Sequence, residues 1–100
     1  MVAQNPQPRR TPLFPLGQVV ATPGALAALE RSGQQPDAFL DRHVVGDWGN
    51  VCDDDKKLND AALKDGTRVL SSYKTTADET IWIVTEADRG STTLLLPDEY

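Results

Sequence analysis

At Thr67 the hydrophobic period of this chain changes from 3.6 residues to 2. Everything before that point with a regular pattern reads as helix, and everything after it reads as strand. RVLSSYK (68–74), TIWIVTE (80–86) and STTLLL (91–96) are rich in β-branched and aromatic residues. The links TTADE and ADRG are short and turn-like, so the three runs form an antiparallel meander. Ile81, Trp82, Ile83 and Val84 are apolar on both faces, which predicts a middle strand covered on both sides or nearly so. Ser71 and Ser72 fall one on each face of the first strand.

Three helices precede the meander. TPGALAALERSG has Thr22 as N-cap, Pro23 in the first turn, helix formers through Arg31 and Gly33 as the stop. QPDAFLDRHVVG repeats that grammar, opening at Pro36 and Asp37, gathering Phe39, Leu40, His43 and Val44 on one stripe and closing at Gly46. The two should form a helical hairpin. CDDDKKLNDAALKDG opens on acids suited to the positive end of a helix dipole, places Leu58, Ala61 and Ala62 on one side and ends at Gly66. Residues 1–15 hold four of the seven prolines, and they read as a disordered or extended arm. Residues 16–100 then make a single α+β domain, with N-terminal helices packed on one face of a three-stranded antiparallel meander. The Gly17–Ala21 segment is the candidate for a fourth strand, although LGQVVA reads equally as a piece packed on the core.

Composition narrows function. One hundred residues with 39% hydrophobic and 25% charged side chains suit one core. No apolar run reaches membrane-span length and the first residues lack a secretory h-region, so the expectation is a cytoplasmic protein without a membrane partner. A lone cysteine, Cys52, excludes an intramolecular disulfide and a cysteine-rich zinc site. No cofactor motif and no recognised metal-ligand spacing is present, so no cofactor is expected. Net charge is −5, and the excess acid lies in residues 51–100, where six basic groups face eleven acidic ones. Phosphate attraction dominates nucleic-acid affinity, so general DNA or RNA binding starts at a disadvantage.

His43, the only histidine, invites three readings, one of them metal ligation with Cys52 or Asp53. It bridges core and surface at the end of a helix, or it serves as a general base or acid oriented by Asp47 one turn on. GDWG answers to architecture: Gly46 and Gly49 let the chain reverse, and Trp48 plugs the gap between helices and sheet. Asp53, Asp54 and Asp55 read as an acidic helix start or as a weak divalent-cation site. Glu86 and Arg89 are close enough across their turn to pair, with Ser91, Thr92 and Thr93 following. That turn is a surface ion pair, or, together with His43, a constellation for metal-free phosphodiester cleavage.

LGQVVATPGAL, HVVGDWG, the AL..G.R.LSSY block, IWIVTEADR and TTLLLPDEY together resemble a family of small proteins encoded on bacterial plasmids and other mobile elements. The resemblance spans Leu16 to Tyr100 and implies a mobile-element context with little chemistry. A more distant, fold-level resemblance is to the barnase, EndoU, colicin and RelE-like ribonucleases. It implies His43, Glu86, Arg89 and Thr92 as catalytic candidates, with Arg68 and Lys74 as binding candidates, beside Trp48 at the corner. Two functions follow as expectations: a non-enzymatic accessory or protein-interaction domain whose partner is another protein, or a metal-independent ribonuclease whose partner is RNA.

Overall fold

The computed structural model describes residues 11–100. In chain order the elements are β1 (Gln18–Ala21), α1 (Pro23–Ser32), α2 (Asp37–His43), α3 (Asp53–Asp65), β2 (Val69–Lys74), β3 (Thr80–Thr85), β4 (Ser91–Leu95) and a closing 3-10 turn, Pro97–Glu99. The architecture is α+β, as expected. The meander is present, with β2 antiparallel to β3 and β3 antiparallel to β4. The expectation of a purely antiparallel sheet is corrected at β1, which joins as a fourth strand parallel to β4 and gives the order β1-β4-β3-β2. Gly17 makes this possible. Its φ is 65° and a Cβ there would fall 2.4 Å from the carbonyl carbon of Gly90. Only glycine lets the incoming chain press so closely against the β3–β4 turn.

The helices lie on one face. Ala25, Ala28 and Leu29 of α1 and Phe39 and Leu40 of α2 pack with Tyr73, Ile81, Ile83 and Leu94, which alternation places on the same side of the sheet. A second cluster joins Phe14, Trp48, Ala62 and Val69. Phe14 is buried and the Leu13 N–H bonds the Val44 carbonyl at 2.7 Å, so the packed domain begins inside the segment expected to be an arm. The part of that arm at residues 1–10 lies outside the described residues. On the other face Trp82 is half-buried, with the Tyr100 ring 5.8 Å away. The closing turn therefore packs against this face. Glu99 holds it, accepting the Thr22 hydroxyl at 2.5 Å and the Leu96 N–H at 2.7 Å beside the start of α1. Those bonds, the Thr22 hydroxyl foremost, keep the Glu99 carboxyl below the usual carboxylate range.

The two edges of the sheet are treated differently. At β2, the Asn59 side chain accepts the Leu70 N–H at 3.1 Å and donates to the Leu70 carbonyl at 2.7 Å, as a neighbouring strand would. Farther along, the Ser72 N–H bonds the Trp48 carbonyl and the Asn50 N–H bonds the Ser72 carbonyl. Gly49 sits between them with φ 74°, where a Cβ would meet the Ser72 oxygen at 2.1 Å. The β2 edge is thus covered at Leu70 and Ser72. This use of Asn59 corrects the expected face of α3: Asn59 and Ala62 are its buried residues, while Leu58 is 66% exposed and Ala61 is exposed. The helix turns a polar side chain inward because it leans on a strand edge, whose unpaired backbone groups cost more to bury bare than a leucine gains.

At β1 no such cover exists among the described residues. Gln18 and Thr22 donate to Gly90 and Leu94, so alternation turns the N–H and C=O groups of Val19 and Ala21 outward. Val19 and Val20 are 43% and 41% exposed. Replacing Asn59 by Ala removes two hydrogen bonds and leaves Leu70 with unsatisfied backbone groups, so urea unfolding should show a loss of about 2 kcal/mol. A loss below about 0.5 kcal/mol would show that water serves that edge equally well.

Candidate functional site

His43 ends α2 with its ring aimed at the sheet, and its side chain is wholly buried. The last turn of an amphipathic helix puts it there, one turn after Phe39 on the same stripe. Three strands then supply hydroxyls at inward positions: Ser71 from β2, Thr85 from β3 and Thr92 from β4. His43 Nδ1 lies 2.5 Å from Ser71 Oγ and Nε2 lies 2.9 Å from Thr85 Oγ1. Thr85 Oγ1 is 2.7 Å from Thr92 Oγ1, and the Thr92 hydroxyl donates to the Leu16 carbonyl at 2.7 Å.

That final carbonyl sets the direction of the whole chain. A carbonyl only accepts, so the Thr92 proton goes to Leu16 and its oxygen receives the proton of Thr85. Thr85 therefore accepts from the ring, which makes Nε2 the protonated nitrogen, and Nδ1 accepts the Ser71 hydroxyl. The ring is a neutral Nε2–H imidazole with both nitrogens in use. Phe14 meets it edge-on at 5.2 Å and Trp48 at 5.7 Å. Burial in this setting, with the positive charge of Arg89 added, lowers its pKa to about 4.

Trp48 is the joint that the GDWG corner implied. It is buried, stacked at 6.2 Å on Phe14, and its indole N–H donates to Asp60 at 3.1 Å. Tyr73 donates its hydroxyl to the Asp47 carbonyl at 2.5 Å, and burial raises that hydroxyl to about 12. Asp47 receives Arg42, at 2.8 Å. It braces the corner from outside and makes no bond to the His43 ring, whose two nitrogens are taken by hydroxyls.

Arg89 adopts φ 60° and folds back over Phe14, its guanidinium 5.4 Å from the ring centre. It donates to the carbonyls of Thr67 at 2.6 Å, Ala62 at 3.1 Å and Glu86 at 3.2 Å. Its contact with Glu86 is thus to backbone, and it braces the end of α3, adding a bond to the Ala62 carbonyl that also accepts the Gly66 N–H and one to Thr67 just beyond the helix. The Glu86 side chain stays exposed. Arg68 and Lys74 lie at opposite ends of β2, Arg68 over the Tyr100 ring at 5.2 Å and Lys74 paired with Asp78 at 3.3 Å. Of the residues singled out in the sequence, His43 and Thr92 share one network and Trp48 walls it. Arg89 is one aromatic ring away; Glu86, Arg68 and Lys74 face elsewhere. Ser71 and Thr85 complete the network unforeseen, although hydroxyls on inward positions of apolar strands were a usable signal.

Among the described residues no three His, Cys, Asp or Glu side chains are grouped to hold a metal ion, and no helix is long and apolar enough to cross a membrane. No family model, no curated protein and no solved structure matches this chain.

The folded state holds the imidazole neutral to about pH 4, whereas the unfolded chain titrates it near 6.5. Protons therefore favour unfolding. The stability that this difference carries, about 3 kcal/mol, is complete above pH 6.5 and is lost as the pH falls toward 4. Urea midpoints between pH 7 and pH 5 should fall for the native chain and stay flat for His43→Gln; a flat native profile would contradict the sealed ring.

Proposed function

We propose that this chain is a non-enzymatic accessory domain that works by binding another protein. One observation carries the reading: among the described residues nothing pairs the outward backbone groups of Val19 and Ala21, which lie beside two exposed valines, while on the opposite edge of the same sheet Leu70 and Ser72 are both bonded. Open strand edges are aggregation liabilities that proteins ordinarily blunt with charge, proline or cover. QVVA has none of these within it. An edge kept open in a sheet whose other edge is guarded is a place for a strand from elsewhere. The mobile-element context rests on the sequence blocks from Leu16 to Tyr100 alone.

The ribonuclease alternative asks His43 to exchange protons with a substrate. A general base must come within about 3 Å of the proton it takes, and here the hydroxyls of Ser71 and Thr85 occupy both ring nitrogens in a fully buried site. Arginine could neutralise a developing phosphorane, but Arg89 spends its donors on carbonyls. The interaction reading is therefore preferred.

A fluorescent oligoribonucleotide should survive incubation at the level seen with folded His43→Gln. The immobilised domain should retain a protein through washes at about 0.5 M salt, where exposed ion pairs are largely screened. That protein, purified, should bind saturably in calorimetry. Cleavage above the His43→Gln control, or no protein that rebinds after purification, would overturn the proposal.

A further inference from the structure

We infer that the β1 edge takes an extended segment of a partner protein as a fifth strand, with a lysine or arginine of that segment seated against Glu86 and Asp88. The inference rests on the interaction reading and adds where the partner binds and what chemistry it presents.

The backbone sets the first requirement. Val19 and Ala21 face outward from β4, so an added strand gains main-chain hydrogen bonds to both. The register sets the second. Val19 and Ala21 stand beside Thr92 and Leu94, on the helix side, while Gln18 and Val20 stand beside Ser91 and Thr93, on the other. The exposed valines therefore offer one apolar contact on each face, which suits β-branched side chains in the incoming segment.

Charge sets the third requirement and selects the occupant. Where β1 begins, the Gln18 N–H bonds Gly90, and beside Gly90 and Ser91 is a shallow open cavity lined by Glu86, Ala87 and Asp88. Both acids are exposed. Arg89, the one cation of this turn, is drawn back toward Thr67 and Ala62. A basic side chain at the end of an added strand meets two carboxylates there that the turn's own cation leaves unneutralised. At the other end of β1, Thr22 carries the Glu99 carboxylate. A second copy laid antiparallel along β1 would bring Glu86 and Asp88 toward Glu99, and one laid parallel would bring the acidic turns together. Either arrangement sets like charges face to face in a chain of net charge −5. A foreign, basic-ended strand avoids this.

Panning a displayed random dodecapeptide library on the folded full chain tests the assignment. Enriched peptides should combine alternating β-branched residues with Lys or Arg at one end, and synthetic versions should bind saturably. Val19→Pro removes an outward-facing N–H and the Val19 side chain but spares the bonds to β4, which Gln18, Val20 and Thr22 make, and proline is tolerated on such an edge. It should abolish binding. Glu86→Gln with Asp88→Asn leaves the edge intact and should weaken binding roughly tenfold. Absence of enrichment, or peptides that bind Val19→Pro as well as the native chain, would overturn the inference. So would sedimentation showing a dimer that Val19→Pro dissolves, since the edge would then belong to a second copy. A purified partner protein that still binds Val19→Pro would remove this site while leaving the interaction reading in place.

Discussion

The hydrogen bond from Thr92 to the Leu16 carbonyl is small, yet the polar core takes its order from it. Because that carbonyl cannot donate, each proton from Thr92 back through Thr85 to His43 has one direction, and Ser71 closes the line. One buried chain of hydroxyls and a ring thereby ties α2 to β2, β3, β4 and the segment leading into β1. Buried polar groups are costly when half satisfied and specifying when fully satisfied. Here every member is satisfied, and sliding any one strand by a residue would break the line, because a register shift of one turns each inward hydroxyl outward.

The same economy explains the rim of the fold. Trp48 and Phe14 wall the ring, Arg89 covers Phe14 while bracing the end of α3, and Asn59 stands in for a strand at the β2 edge. Polar side chains that a catalytic site would aim at solvent are aimed at backbone. The outer side of β1 finds no such partner among the described residues, and that contrast with Leu70 and Ser72 on the opposite edge supports the functional proposal.

Local signals carried most of the architecture. The switch of period after Thr67 gives the strands to within a residue, because alternation is a property of each strand alone. Thr22 and Gly33 bracket α1 because caps are local chemistry. What was not legible depends on neighbours far along the chain. The parallel pairing of β1 with β4 joins residues more than seventy apart and leaves no periodic trace. Phe14 looks like part of a proline-rich arm until Trp48 and His43 are placed beside it. Leu58 and Asn59 exchange their expected roles only because α3 meets a strand edge. His43 stands out in the sequence as the only histidine, but its role turns on Ser71 and Thr85, whose inward placement is a matter of register.

The account stands or falls on the state of one ring, and long-range nitrogen–proton correlation spectra of 15N-labelled protein report it directly. The account predicts a single neutral Nε2–H imidazole whose signals hold constant from pH 8 to about pH 5 and ignore added phosphate. An Nδ1–H or tautomerically averaged ring that titrates near pH 6.5, or signals that move with phosphate, would contradict it.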